Sequence, residues 1–229
     1  MALSARLQAI LEFAKGCKIL ADIGTDHAYL PIEAVRTGFC QKAIACDVNK
    51  GPLESAAKNI QLVPFLDRLE TRLGNGLAPL EENEADCIVI SGMGGMLIWD
   101  ILQAQPTKAR FAEKLILQPQ QSVERLRRNL HGAGYEITTE KLVYEDARFY
   151  AILVARCTGD DIAAWTDREY FVGKYLCESP HYLQYLQQEK DKIARYIHFL
   201  NDDAGRLAEM RLGWIESKML EKEWQHDLQ

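Results

Sequence analysis

Short runs of buried-type residues alternate with helical segments along the first half of this chain, and then two such runs follow each other across a short polar turn. The runs are residues 18–23, 42–47 (KAIACD), 69–73, 86–91 (DCIVIS) and 114–118 (KLILQ). Segments 51–62 (GPLESAAKNIQL) and 121–132 between them carry helical character, and an amphipathic helix over 3–15 precedes the series. Continuous apolar strands separated by helices specify a parallel sheet built from strand–helix–strand units. The last two runs, about 135–143 and 149–156, flank Glu145-Asp146-Ala147. A connection that short joins antiparallel neighbours only.

A dinucleotide-binding dehydrogenase continues with a second set of strand–helix–strand units. Five parallel strands closed by a reversed pair match instead an α/β, class I (Rossmann-like) methyltransferase sheet. After Thr158 nothing reads as a strand. Residues 167–178 read as a helix, and Leu183, Leu186, Lys190, Ile193, Ile197 and Leu200 follow the three-four rhythm of a coiled-coil seam. Asn201 to Gly205 are poor helix-interior residues and predict a break there. Beyond it Leu207, Met210, Trp214 and Trp224 form a second apolar stripe. The expectation is an α-helical coiled-coil hairpin, with one uninterrupted helix as the alternative. The domain boundaries expected are 1–158 for the sheet and 159–229 for the helices.

The chain has 229 residues, a formal charge of −6 and a pI near 5.5, which argues against a generally basic nucleic-acid binder. Residues 107–131 run against that trend, with six Lys and Arg against two Glu. They are either a solvated helix face or a phosphate-contacting patch. The six cysteines form no Cys-x-x-Cys pair and read as reduced thiols of a cytoplasmic protein. The five histidines make no ligand pair at helical spacing, so no metal is expected. No apolar run approaches the roughly 18 residues of a membrane span, and the N-terminus lacks the order of a signal peptide.

Candidate site residues cluster where predicted strands end. In Asp22-Ile23-Gly24-Thr25-Asp26-His27-Ala28 the glycine admits a ligand close to the backbone ahead of a helix N-terminus. A dinucleotide fingerprint needs more glycines, and Asp26 would repel a pyrophosphate. S-adenosylmethionine carries no phosphate, and its positive charges tolerate a carboxylate. Asp47, with Val48 after it, lies 23 residues beyond Gly24, near the roughly 20-residue spacing of a ribose-binding acid. Asn75, in Gly74-Asn75-Gly76, either contacts an adenine edge or simply makes the turn. Ser91-Gly92-Met93-Gly94-Gly95 clears side chains from the rim where a cofactor methyl and a flat base could meet. The amides of Gln118-Pro119-Gln120 either read a base edge or are merely exposed.

Taken together, DIGTDHAYLP, GPLESAAKNI, GNGL, SGMGG, LILQP and EDARFYAILVAR resemble, in that order, the bacterial tRNA (adenine-22-N1)-methyltransferase family, TrmK. The resemblance runs from about Leu3 through Arg156, and the chain departs from the family's usual residues at Asn75, Gln120 and Lys174. It implies methyl transfer from S-adenosyl-L-methionine to N1 of an adenine, position 22, in tRNA. It also implies cofactor contacts from Asp22, Gly24, Asp47, Val48, Asn75, Gly76, Gly92 and Met93. Asp26 is then the candidate for stabilising charge on the adenine, with His27 and Tyr29 as stacking or hydrogen-bonding partners. Gln118, Arg125, Arg127 and Arg128 are the candidate substrate contacts. A tRNA partner, no membrane and a monomer are expected, with a dimer as the alternative. Two rival functions share parts of this pattern: a methyltransferase for a small molecule or protein, and a non-catalytic cofactor-sensing protein.

Overall fold

The computed structural model describes residues 3–159 and 162–227, with side chains through Trp224. Strands β1 (Ile19–Ile23), β2 (Lys42–Asp47), β3 (Leu69–Leu73), β4 (Cys87–Met93), β5 (Lys114–Pro119), β6 (Tyr135–Glu145) and β7 (Arg148–Cys157) form one sheet. Its order is β3-β2-β1-β4-β5-β7-β6. The first five strands are parallel, and β7 is antiparallel to both β5 and β6. The chain crosses from one half of the sheet to the other between β1 and β4. In open α/β sheets such a switch point opens a crevice at the carboxyl ends of the strands.

Side-chain alternation feeds both faces of the sheet. Ile88, Ile90, Leu115 and Leu117 join one apolar cluster, while Cys87, Val89 and Ile116 join the other, as the two-residue period of a strand requires. Helices α1 (Ala5–Phe13), α2 (Tyr29–Arg36) and α3 (Lys50–Ile60) cover the second face. Helices α4 (Gly95–Ala104), α5 (Pro106–Phe111) and α6 (Val123–Gly132) cover the first. Double coverage is why the central strands read as unbroken apolar runs.

The β6–β7 hairpin is longer than the sequence suggested. Glu145 pairs directly with Arg148, so the turn is Asp146-Ala147 alone. Both residues have positive φ, 48° and 58°, the backbone of a type I′ turn.

The C-terminal segment differs from expectation in three places. The helix predicted over 167–178 stops early: α7 spans Asp167–Val172, Gly173 takes φ +83°, and a 3-10 turn follows at Leu176–Glu178. A Cβ on Gly173 would lie 2.7 Å from the Leu176 side chain and 2.8 Å from Arg127 Nη2, so the turn is packed tightly on both sides. The hairpin itself is present, as α8 (Tyr182–Tyr196) and α9 (Asp202–Asp227), joined through a 3-10 turn at Ile197–Phe199. Its break falls at Leu200-Asn201, at the leading edge of the predicted cluster, and the rest of that cluster is helical. The Asn201 side chain accepts from Ala204 N at 3.2 Å, and Asp202 and Asp203 form the first turn of α9, where acidic residues suit the helix dipole. The stripe at 207, 210, 214 and 224 is not the buried one. Ala208 and Ile215 are buried against Leu186 and Ile193, while Leu207, Met210 and Trp224 are exposed.

The hairpin shares the apolar cluster of α4, α6 and the sheet rather than owning a separate one. Phe171 on α7 meets Trp214 with ring centroids 6.0 Å apart, Arg211 reaches Glu124 at 2.6 Å, and Arg168 pairs with Glu221. No helix among the described residues is long and apolar enough to cross a membrane. No cluster of His, Cys, Asp or Glu among them is arranged to hold a metal.

Candidate cofactor and acceptor site

Five loops meet at the carboxyl rim of the parallel strands. After β1, Gly24 (φ +79°) and Thr25 both donate to the Cys46 carbonyl, at 2.8 and 2.9 Å, which ties the first loop to the end of β2. A Cβ on Gly24 would come within 2.2 Å of Met93 Cε. The glycine is required there because the Met93 side chain, from the end of β4, lies across it. Gly24 and Met93 thus bring β1 and β4 together over the crevice.

Asp22 is buried beneath this loop. Burial pushes its carboxyl up to about 6, and the like charge of Asp47 acts in the same direction. The Thr25 hydroxyl beside it is buried with no hydrogen-bond partner of good geometry. The folded protein therefore holds a proton on Asp22 that an unfolded chain has released, from about pH 4 up to about 6. The contribution of this group to stability is full below about pH 4 and is lost as pH rises through 6. Asp22→Asn should therefore gain on the parent by about 2 kcal/mol between pH 4 and pH 7.5, read by denaturant unfolding at both. Parallel pH profiles for the two proteins would remove Asp22 as the titrating group.

Asp47 ends β2. One carboxylate oxygen accepts from Asn49 N at 2.6 Å, and the other accepts no hydrogen bond among the described residues. Val48 beside it is exposed. Asn75 is exposed on the loop after β3, where Gly76 (φ +54°) packs against Ile101 of α4. Gly95 begins α4 in close contact with the carbonyls of Gln121 and Ser122. A side chain there would push the loops after β4 and β5 apart.

Asp26 and His27 sit on the first loop, beside Tyr29 at the start of α2. The Asp26 carboxylate is 82% exposed and lies 3.5 Å from His27 Nε2. The His27 and Tyr29 rings stack with centroids 5.1 Å apart and planes inclined by 28°. Asn59 of α3 donates to the His27 carbonyl at 2.9 Å and holds the loop from below. The contribution of Asn59 has no signal in the sequence beyond an amide on a helix.

The match to a family model described as a methyltransferase domain covers residues 3–153. The tRNA (adenine(22)-N(1))-methyltransferase of Bacillus subtilis is 39% identical over 163 residues, which are 71% of this chain and 68% of that protein. The crystal structure of the B. subtilis M1A22 tRNA methyltransferase TrmK superimposes with a TM-score of 0.84 at 30% identity, over 95% of this chain and 99% of that one. The chain belongs to the tRNA (adenine-22-N1)-methyltransferase family. The crystal structure of Streptococcus pneumoniae Sp1610 in complex with S-adenosyl-L-methionine superimposes with a TM-score of 0.85 at 34% identity, over 95% of this chain and all of that one.

As a TrmK-family member the chain is expected to meet its substrate through Gln118, Arg125, Arg127 and Arg128. The structure corrects two of these. Arg127 is 1% exposed. Its Nε donates to Glu140 at 2.7 Å and its Nη1 to the Tyr170 carbonyl at 2.8 Å. Glu140 in turn accepts from Tyr175 N at 3.2 Å. Arg127 is thus an internal clamp between β6 and the turn after α7. Gln118 is fully buried, and its amide oxygen accepts from Arg6 Nη1 at 2.8 Å and from Gly92 N at 3.1 Å. It lies under the rim and cannot read a base edge; the exposed amide is that of Gln120. Arg128 lies over the Tyr170 ring and pairs with Glu124 and Asp167, and Arg125 is exposed.

Several bases of segment 107–131 are tied to the fold, while Arg110 and Arg125 are exposed. Lys108 caps the carbonyls of Leu77 and Ala78, and Lys114 caps those of Phe13 and Lys15 at the end of α1. The bases of the hairpin are also mostly paired. Lys190 meets Glu216, Arg206 meets Asp203 and Arg211 meets Glu124. Among the described residues Arg195 bonds only a backbone carbonyl.

Proposed function

We infer that this protein transfers a methyl group from S-adenosyl-L-methionine to N1 of adenine 22 in tRNA. Its kinship with a tRNA (adenine(22)-N(1))-methyltransferase supports this, and the crevice between β1 and β4 carries it. The residues there fit this cofactor. Gly24 lets the Met93 side chain close against the crevice, Asp47 keeps an oxygen for a ribose diol, and the buried Thr25 hydroxyl has no hydrogen-bond partner of good geometry among the described residues. The acidic Asp22 and Asp26 would instead repel a pyrophosphate.

S-adenosylmethionine supplies an electrophilic methyl group when bound. Asp47 would accept from its ribose hydroxyls, and Val48 and Asn75 would flank its adenine. Asp22 beneath Gly24, together with Gly76, Gly92 and Met93, completes the wall. The acceptor needs little activation, because N1 of neutral adenine carries an in-plane lone pair. The enzyme's task is to align that lone pair and keep water out. Positive charge appears on the adenine as the methyl arrives. The Asp26 carboxylate stabilises it, and acts mainly in the transition state. The base must leave its stack to reach the crevice, and the His27–Tyr29 pair offers it an aromatic surface.

In this scheme residues 1–158 bind cofactor and acceptor adenine, and residues 159–229 grip the tRNA. The division is one of role, since both parts share an apolar core. The protein acts as a monomer in the cytoplasm.

The test is transfer of labelled methyl to tRNA, with reverse transcription stopping at position 22 because N1-methylation blocks base pairing. Two variants should separate the roles. Asp26→Asn should lower the transfer rate about tenfold or more with cofactor affinity nearly unchanged. Asp47→Ala should weaken cofactor binding by about 1.5–3 kcal/mol in calorimetry. A parent that leaves tRNA unlabelled would sink the function, and a fully active Asp26→Asn would remove Asp26 from the chemistry.

A further inference from the structure

Gly92 sits where the pairing of β4 with β5 breaks register: Ser91 faces Gln118, and the next partners are Met93 and Pro119. A bulged residue of this kind loses its ladder partner, and its N–H must bond elsewhere. Here the bond goes to a side chain, the Gln118 amide oxygen, at 3.1 Å. The Gln118 amide nitrogen donates to the Pro119 carbonyl at 3.1 Å, which fixes the amide with its oxygen toward Gly92. The same oxygen takes a second hydrogen bond, from Arg6 Nη1 on α1 at 2.8 Å.

Arg6 is itself held from behind. Its backbone N–H donates to Glu145 Oε1 at 3.1 Å, its Nε lies 3.5 Å from Glu145 Oε2, and its guanidinium lies 5.2 Å from the centre of the Tyr150 ring. One polar chain therefore runs from the hairpin end of the sheet, through the N-terminal helix, to the glycine loop beside Met93. Gly92 is exposed with φ +77°, a backbone with no side chain of its own to fix it.

We propose that Arg6 is a positioning residue for methyl transfer, acting through Gln118 on the Gly92 amide. Arg6 locks the Gln118 oxygen onto the bulge and so sets the path of Ser91–Gly95, the segment leading from β4 into α4 at the rim where cofactor and acceptor base would meet. This role rests on the methyl-transfer function proposed above.

Four proteins test it: the parent, Arg6→Ala, Gln118→Ala and the double variant. Arg6→Ala should lower the single-turnover rate about tenfold to a hundredfold, as for a small misplacement of reacting groups. Its dissociation constants for S-adenosylmethionine and tRNA should stay within about twofold, because the loop acts on alignment. The double variant should be no slower than Gln118→Ala, since both changes break one chain. Amide exchange at Gly92 should rise about fivefold in Arg6→Ala, as for loss of one hydrogen bond. Rate effects that multiply, or an unchanged rate with unchanged exchange, overturn the proposal. If the parent methylates no tRNA, the proposed function falls, and Gly92 exchange alone decides whether Arg6 positions the loop.

Discussion

Arg127→Ala should destabilise the protein by about 3–5 kcal/mol, the cost of leaving a buried charge without its partner. For a chain of this size that lowers the melting temperature by roughly 10 °C. The reason lies in what Arg127 touches. Its guanidinium neutralises Glu140, which has no exposed oxygen to turn to water, and it also satisfies the Tyr170 carbonyl. Removing it strands both groups inside the apolar cluster. A paired change, Arg127→Met with Glu140→Leu, removes both charges together and should recover most of the stability. Calorimetric scans of the three proteins check this. An Arg127→Ala protein within about 1 kcal/mol of the parent would mean that water reaches Glu140 after all.

The second large effect concerns the helical hairpin. A chain ending at Pro180 keeps α7, the Gly173 turn and the Tyr175 hydrogen bond to Glu140, and lacks α8 and α9. It should fold and bind S-adenosylmethionine within a few-fold of the parent, because every loop of the crevice lies upstream. Its affinity for tRNA should fall about tenfold to a hundredfold. The salt dependence of binding should also flatten, by about 0.7–0.9 in log-log slope for each phosphate that the shortened chain no longer neutralises. The proposed grip lies at the tip of the hairpin. Phe199 is 87% exposed, Tyr196 is exposed beside it, and the neighbouring Arg195 makes no side-chain ion pair among the described residues. Aromatic and cationic groups placed together suit unstacked bases and their phosphates. Phe199→Ala in the full chain should weaken tRNA binding by about 1–3 kcal/mol with an unchanged melting temperature. Unchanged tRNA affinity in both proteins would leave the hairpin a structural element only.

The sheet is legible from sequence because burial on both faces writes a strand as an unbroken apolar run. All seven strands lie within a few residues of their expected places. The early stop of α7 is harder to see, because one Gly173 both ends a helix and makes room for Arg127. The loops of the cofactor crevice are visible as glycines and acids at strand ends. The errors come from side chains whose direction depends on neighbours far away in sequence. Residue type makes Arg127 read as a surface charge, yet it lies in helical register with Val123 and Leu130, on the face that packs inward. Residue type likewise makes Gln118 read as a rim amide, yet strand alternation places it with Ile116 on the face beneath α1. In both cases the periodicity carries the right signal and the chemistry of the side chain outweighs it. Arg6 has no such signal: its partners lie 112 and 139 residues away.

The anchoring of α9 to α6 and α7, through Arg211, Arg168 and Trp214, has a consequence for how a target nucleotide is chosen. An arm seated on the same core as the crevice holds its tip at a set separation from the methyl donor. A helix of 26 residues spans about 39 Å, a distance on the scale of a folded tRNA limb. On the proposed role of the hairpin such a molecule would work as a caliper: one jaw would rest on a structural landmark of the RNA, and the other would fall on whichever adenine lies one fixed span away. Selection then follows the three-dimensional outline that tRNAs share, and lengthening both arms by a helical turn should move the modified position along the RNA while the chemistry stays the same.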